Sequence, residues 1–315
     1  MSFTNLLTIA MPCYERKEYF IAALESALNQ TVKCSVIVVD NCSSHDFFEQ
    51  VCIEKGVTYY RNDSNIGIAA NFARGFELSD TEYVLNLQDD DLLSLDYVES
   101  FVNAVNSFPD IDIFFSNFSV ITSKGEKSHF HTLPFGYIPD GNKILEYGIK
   151  YKLGFPYMSS AIRKTKAYSV IDTIGWIGSY DWEWIYSVAD KLKFYGDKRK
   201  LYHYRIHDNQ ITNKNHSSFI LTLPYIYDII LKEKVVDPNL KKRASKNAFC
   251  ELIQLKSEIN NAVLMAIKRG ENKYDRFLIS KLKENFFLNV IFALPRRIVS
   301  FCFKVYKRLD FSKKN

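Results

Sequence analysis

Two rhythms of apolar residues alternate along the first ninety positions. Short continuous runs read as buried strands: LLTIAMP (Leu6–Pro12), the β-branched CSVIVVD (Cys34–Asp40), VTYYR (Val57–Arg61) and EYVLNL (Glu82–Leu87). Between them the spacing lengthens to that of helices. Tyr19, Phe20, Ala23, Leu24, Ala27 and Leu28 share one face, a short helix follows the capping-rich loop NCSSHD to about Glu54, and Ile68, Phe72 and Phe76 mark a third. This alternation predicts an α/β fold, a mostly parallel sheet with helices on both faces. Ligands of such sheets bind beyond the carboxyl ends of the strands. Tyr14, Asp40, Arg61 and three consecutive carboxylates, Asp89, Asp90 and Asp91, all fall there.

Beyond residue 95 the rhythm changes. Leu95, Val98, Val102 and Val105 predict a helix, and Ile111–Ile121 a strand. Residues 123–143 predict a loop passing over the site. YMSSAIR (Tyr157–Arg163) reads as a strand, SYDWEWIYSVADKL opens a helix near Asp181, and LYHYRIH (Leu201–His207) is a further strand. From about Ser217 onward the chain reads helical. The expected division is a first domain over 1–215 and a helical region over 216–315.

Composition is that of a globular protein, 47% hydrophobic and 24% charged over 315 residues, and excludes a disordered chain. Charge is unevenly spread. Residues 281–315 carry nine basic and two acidic side chains, a net +7 against +5 for the whole chain, so the other 280 residues hold −2. A near-neutral body argues against nucleic acid as partner and moves attention to the tail. The six cysteines form no CxxC pair and predict reduced thiols. A strand-like run within the first few residues predicts no signal peptide, and no stretch reaches the roughly 18 apolar residues of a membrane span.

The carboxylates Asp89–Asp91 repel one another, and as an isolated run they fit a solvated turn capping the next helix. At a parallel-strand terminus in line with Tyr14 and Asp40 they instead suit a hard divalent cation, Mg²⁺ or Mn²⁺, with coordination positions left for phosphate oxygens. A nearby imidazole favours Mn²⁺. No GxGxxG follows the first strand and no GxxxxGK[ST] occurs, which excludes the usual dinucleotide and P-loop modes.

PCYER, VIVVDNCSS, RNDSNIGIAANFARGFE and YVLNLQDDDLL, in this order, resemble the nucleotide-sugar glycosyltransferases of the GT-A fold, family 2, of the type that builds bacterial surface polysaccharide or lipopolysaccharide. The resemblance covers residues 6 to about 210. It implies a base pocket lined by Pro12 and Tyr14, with Asp40 bonding the base, and a wall of Asn65, Gly67 and Asn71 beside the ribose and diphosphate. By the same resemblance Asp90 binds the metal and Asp89 lies beside the ribose. Gln88 stands where many members carry the first acid and Glu15 where Asn is usual, so both join the donor-binding set with altered chemistry. Asp91 reads as a supporting residue or helix cap.

GSYDWEW resembles the family's acidic motif, which makes Asp181 the base and Glu183 the runner-up, with Trp182 and Trp184 as weaker acceptor contacts. Sugar transfer with inversion needs such a carboxylate to take the acceptor's proton. YRIHDNQIT resembles a late element whose His reaches the metal, assigning His207 to the ion and Arg205 to the diphosphate. The QxxRW element of processive synthases is absent, implying single-sugar addition. The implied donor is a UDP-sugar, with dTDP next, and the implied acceptor a lipid-linked glycan. A catalytically inactive donor-binding scaffold and a metal-dependent nucleotidyl or phosphoryl transferase stay open on the same residues.

The segment from Phe286 to Leu309 alternates apolar clusters with Arg296, Arg297, Lys304, Lys307 and Arg308, and Pro295 breaks it. Such a segment lies on an anionic membrane or packs on the protein or on a second copy in a homo-oligomer. The expected location is the cytoplasm, peripheral on the inner membrane.

Overall fold

The computed structural model describes residues 3–122, 125–127, 134–151, 154–166, 180–208, 222–258 and 273–311. Contacts divide the chain into two compact units. The first comprises Met1–Ile144, Gly154–Trp176 and Val188–Asp208; the second comprises Leu145–Leu153, Ile177–Ser187 and Asn209–Asn315. Two inner segments, one of them holding Asp181, group with the second unit.

The first unit opens with the expected alternation: β1 (Phe3–Cys13), α1 (Phe20–Leu28), β2 (Lys33–Asp40), α2 (Phe47–Lys55), β3 (Thr58–Arg61), α3 (Ile68–Leu78) and β4 (Tyr83–Asn86). Strands β3, β2, β1 and β4 lie side by side and all parallel, which carries their carboxyl ends to one edge. Their continuous apolar runs reflect burial on both faces: Ile9, Met11, Val38 and Leu85 are all fully buried with Phe20, Leu24 and Phe48 from the helices. Helix α3 approaches closely at Gly75, where a Cβ would come within 2.8 Å of the Ala10 Cβ.

The remaining strands make the sheet mixed. A two-residue strand β5 (Leu92–Leu93) follows the three aspartates, then α4 (Tyr97–Ser107), β6 (Ile113–Thr122), β7 (Gly125–Lys127), β8 (Gly136–Ile138), α5 (Asn142–Tyr151), β9 (Ser160–Arg163), α6 (Tyr180–Val188) and β10 (Phe194–Arg205). The sheet order is β3-β2-β1-β4-β9-β6-β10-β5, with β7 beside β6 and β8 beside β10. Strand β9 runs antiparallel between β4 and β6, while β6 and β10 are parallel. Two short strands therefore occupy part of the expected 123–143 loop; residues 123–124 and 128–133 lie outside the described residues. Leu95 precedes α4 and is exposed, so the buried face is Tyr97, Val98, Phe101, Ala104 and Val105.

The second unit is helical in its later part. A turn of π-type helix (Ile226–Leu231) leads towards α7 (Pro238–Glu258), followed by α8 (Lys273–Glu284), α9 (Phe286–Ala293) and α10 (Arg296–Phe311). Leu252, Leu255, Tyr274, Phe277, Leu278, Leu288 and Phe292 form its core. Asn285 caps α9 by accepting from Leu288 N at 3.1 Å. Pro295 separates α9 from α10, which meet at a 115° bend. Leu288, Phe292, Val299 and Phe303 turn inward, whereas Phe286, Phe287, Val290, Leu294, Ile298 and Phe301 are exposed. Among the described residues no single helix is long and apolar enough to cross a membrane, although the bent pair passes on combined length and composition.

Candidate functional site

The site begins with the loop after β1. Glu15 adopts a left-handed backbone (φ 59°), a conformation that Asn tolerates better than most residues. Here the Glu side chain is tied down. Its carboxylate accepts from Ser44 N at 2.7 Å and Ser44 Oγ at 2.9 Å, and its own N donates to Ser43 Oγ at 2.9 Å. Those bonds hold the carboxyl below its usual range. Glu15 thus joins the β1 and β2 loops, while Tyr14 beside it is exposed.

Asp40 orders the second loop. The carboxylate is fully buried; Oδ1 accepts from Ser43 N and Oγ at 3.0 and 2.6 Å, and Oδ2 from the Tyr59 hydroxyl at 2.7 Å. Asp40, expected to bond the base, thus already accepts three bonds within the chain. Pro12, two residues upstream of Tyr14, lies buried within β1 opposite Val39.

Asparagines build the adjoining wall. Asn65 Oδ1 accepts from Asn41 Nδ2 and Gly67 N, both at 2.9 Å, while Asn62 Nδ2 donates to Asn41 Oδ1 and Asn71 Oδ1 at 3.1 and 2.8 Å. Asn71 Nδ2 closes the set on Val39 O at 3.0 Å. Gly67 sits at φ 85°, where a side chain is strained, immediately before α3. Asn65, Gly67 and Asn71 thus lie in one hydrogen-bonded group. Asn41 and Asn62 were missed, since their role lies in amide pairing across three segments.

At the end of β4 stand the three aspartates, all buried. They do not act alike. Asp91 faces β10: Oδ2 accepts from the Tyr202 hydroxyl and Oδ1 from Arg205 N, both at 2.7 Å. It supports neighbouring strands and caps no helix. Asp89 and Asp90 instead share the guanidinium of Arg16, one nitrogen on Asp89 Oδ1 and the other 2.9 Å from Asp90 Oδ2. His207 Nε2 lies 3.0 Å from Asp90 Oδ2 and 3.2 Å from Arg16 Nη1. Burial pushes the Asp89 carboxyl up to about 7, with Arg16 pulling the other way, and burial beside Asp90 also raises Asp91. Arg205 donates to Asp90 O at 2.7 Å and lies over the Tyr19 ring, 4.6 Å from its centre; His207 lies beside the same ring. Gln88 is half-buried and its carbonyl accepts from Asp91 N at 3.3 Å.

A crowd of carboxylates, an imidazole and two guanidinium groups at the end of parallel strands is the setting in which the comparisons decide. The family described as "Glycosyl transferase family 2" matches residues 8–171. The chain belongs to glycosyl transferase family 2. It is similar to an uncharacterized glycosyltransferase of Rickettsia typhi, 26% identical over 67% of this chain and 67% of that one. It is also similar to a putative colanic acid biosynthesis glycosyl transferase, WcaA, of Escherichia coli, 33% identical over 29% of this chain and 34% of that one. Two other relatives are matched over only 38% and 32% of their own length. Among solved structures, S. aureus TarS residues 1–349 in complex with UDP-GlcNAc aligns at a TM-score of 0.65 and 11% identity, covering 96% of this chain and 92% of that one. That likeness shows a GT-A fold for this family 2 chain.

Among the described residues no three His, Cys, Asp or Glu side chains are arranged around one metal point. Asp90 and His207 converge as a pair, and a positive group already stands between Asp89 and Asp90. One carboxylate and one imidazole suit a divalent ion whose other positions go to substrate phosphate and water. The residues fit such an ion once Arg16 yields.

Asp181 and Glu183, the two carboxylates expected of the acidic motif, fall in the second unit. Asp181 lies in the first turn of α6, and burial pushes its carboxyl up to about 6. Glu183 is buried and accepts from Lys273 Nζ and the Tyr274 hydroxyl, so the runner-up base is a structural ion pair. Trp184 is buried, which removes it as an acceptor contact; Trp182 is half-buried.

Proposed function

We propose that this protein transfers one sugar, with inversion, from a nucleoside-diphosphate donor to a lipid-linked glycan of the bacterial envelope. The arrangement of Asp90, His207 and Arg16 at the carboxyl end of β4 in a family 2 chain carries the reading. The similarity to TarS, solved with UDP-GlcNAc, supports a UDP-sugar; a dTDP-sugar is the next candidate. The similarity to WcaA supports a role in surface polysaccharide.

Asp90 and His207 would hold Mn²⁺ or Mg²⁺, which when bound supplies positive charge to the departing diphosphate. Arg205, fixed by Asp90 O and Tyr19, adds a second positive group there. Asp181 is the proposed base. With its carboxyl raised to about 6 it is mostly ionised at pH 7 and a better proton acceptor than an ordinary aspartate. It takes the acceptor hydroxyl proton as that oxygen bonds to the anomeric carbon. The carbon–phosphate-oxygen bond breaks on the opposite face, and the diphosphate leaves with the electron pair. On the outer surface of α9 and α10, Phe286, Phe287 and Phe301 beside Arg296, Arg297 and Lys304 support attachment to an anionic membrane surface on its cytoplasmic face.

The test incubates the full chain with UDP- and dTDP-sugars, Mn²⁺ and a lipid-linked acceptor fraction, following nucleotide release and product anomer. Free nucleoside diphosphate with an inverted linkage is expected. Pyrophosphate release would assign a nucleotidyl transferase, and donor binding without turnover a scaffold.

A further inference from the structure

We propose that Arg16 is the resident counter-ion of the Asp89–Asp90 pair and that its displacement couples metal binding to donor binding. This rests on the metal reading of the same site. Arg16 comes from the β1–α1 loop, far in sequence from the aspartates, and places one guanidinium nitrogen on each carboxylate. The side chains of Asp89 and Asp90 are only 7% and 10% exposed, so negative charge carried by the pair is buried there and needs a cation. Arg16 Nη1 also reaches His207 Nε2 at 3.2 Å, which puts the guanidinium where Asp90 and His207 converge. A divalent ion and a guanidinium cannot occupy that place together, since like charges a few ångström apart in a poorly solvated site repel strongly.

Charge decides where the arginine goes. With both carboxylates ionised, Asp89, Asp90 and Arg16 sum to −1. A divalent ion arriving alone must eject Arg16 from two carboxylates and leaves it no anion. A divalent ion arriving with a nucleoside-diphosphate sugar adds no net charge, and the displaced guanidinium gains the diphosphate as partner. The buried Nε of Arg16 has no acceptor among the described residues, so a donor is already waiting for an anion. Metal and donor should therefore each tighten the other, reciprocally.

The experiment titrates Mn²⁺ into the full chain calorimetrically, with and without UDP, for the wild type, Arg16→Gln and Arg16→Lys. In the wild type UDP should tighten Mn²⁺ by about tenfold or more, within the range of ordinary allosteric couplings. Arg16→Gln should bind Mn²⁺ alone about tenfold more tightly than wild type, and the tightening by UDP should shrink to roughly threefold or less. Arg16→Lys keeps the charge but cannot bridge both carboxylates, so it should shift in the same direction and by less. It decides the matter if Arg16→Gln does not fold. Equal Mn²⁺ affinity in the wild type and the variants, without UDP, would overturn the displacement while leaving the metal site standing. Absence of Mn²⁺ binding in every protein, with or without UDP, would overturn the metal reading and the displacement with it.

Discussion

The hydroxyl of Tyr202 donates to Asp91 Oδ2 at 2.7 Å, with both side chains fully buried. This bond, with that from Arg205 N to Asp91 Oδ1, ties the turn after β4 to β10, the strand that leads to Arg205 and His207. The third aspartate therefore acts on the Asp90–His207 pair through the backbone.

Asp91→Asn keeps an oxygen for Arg205 N but presents an NH₂ group to the Tyr202 hydroxyl. A loss of about 1–3 kcal/mol in stability is expected, from one buried polar group left badly paired. Denaturant unfolding followed by circular dichroism measures it. Tyr202→Phe leaves the carboxylate one partner short and should cost a similar amount. An unchanged midpoint in both would contradict the tie.

Asp90→Asn removes the charge from the Asp90–His207 pair without changing its size. Turnover should fall by about two orders of magnitude, the scale of several kcal/mol carried by a metal ion on a leaving group. Chelator should stop the wild type, and Mn²⁺ should restore it. Activity in chelator equal to that in Mn²⁺ would remove the ion from the mechanism.

Asp181 makes two predictions with opposite signs. Its carboxyl is raised to about 6 by burial, so the folded chain binds that proton more tightly than the unfolded chain. Its ionisation therefore lowers stability progressively as pH rises from the ordinary aspartate range through about 6, and the lost stability returns on acidification. Asp181→Asn escapes this cost and should melt at or above the wild-type temperature at pH 7. Transfer should nonetheless fall by about 10²–10⁴-fold with donor binding retained, as for loss of a general base. The wild-type rate should decline below about pH 6 as the base is protonated. Glu183→Ala is the contrast: it strands Lys273 beside a buried site and should lower the melting temperature sharply.

Phe286 and Phe287 are 77% and 74% exposed, so replacing both with Asp should leave the melting temperature nearly unchanged. Co-sedimentation with vesicles containing anionic lipid should fall strongly, and most at low salt where the neighbouring arginines contribute. Equal co-sedimentation of the variant and the wild type would return these helices to a purely structural role.

Much of the first unit was legible from periodicity. The runs around Ile9, Val38 and Leu85 are apolar without interruption because both faces of those strands are covered, and the helical faces between them are spaced accordingly. The direction of β9 was not legible, because YMSSAIR carries no mark of which neighbours flank it. The exposed Leu95 was misread for a related reason: its spacing fits the helix, but α4 starts two residues later.

The sequence alone determined the strand–helix order, the clustering of Asp40, Arg61 and Asp89–Asp91 at one edge, and the break at Pro295, since each follows from local period, turn chemistry or a fixed backbone angle. Only the tertiary structure decided which carboxylates face inward and what neutralises them: Asp40 is consumed by Ser43 and Tyr59, Asp91 by Tyr202, Glu183 by Lys273 and Tyr274, and Asp89 and Asp90 by Arg16. The physical reason is that a buried charge is settled by partners brought from distant segments, and no local pattern names them.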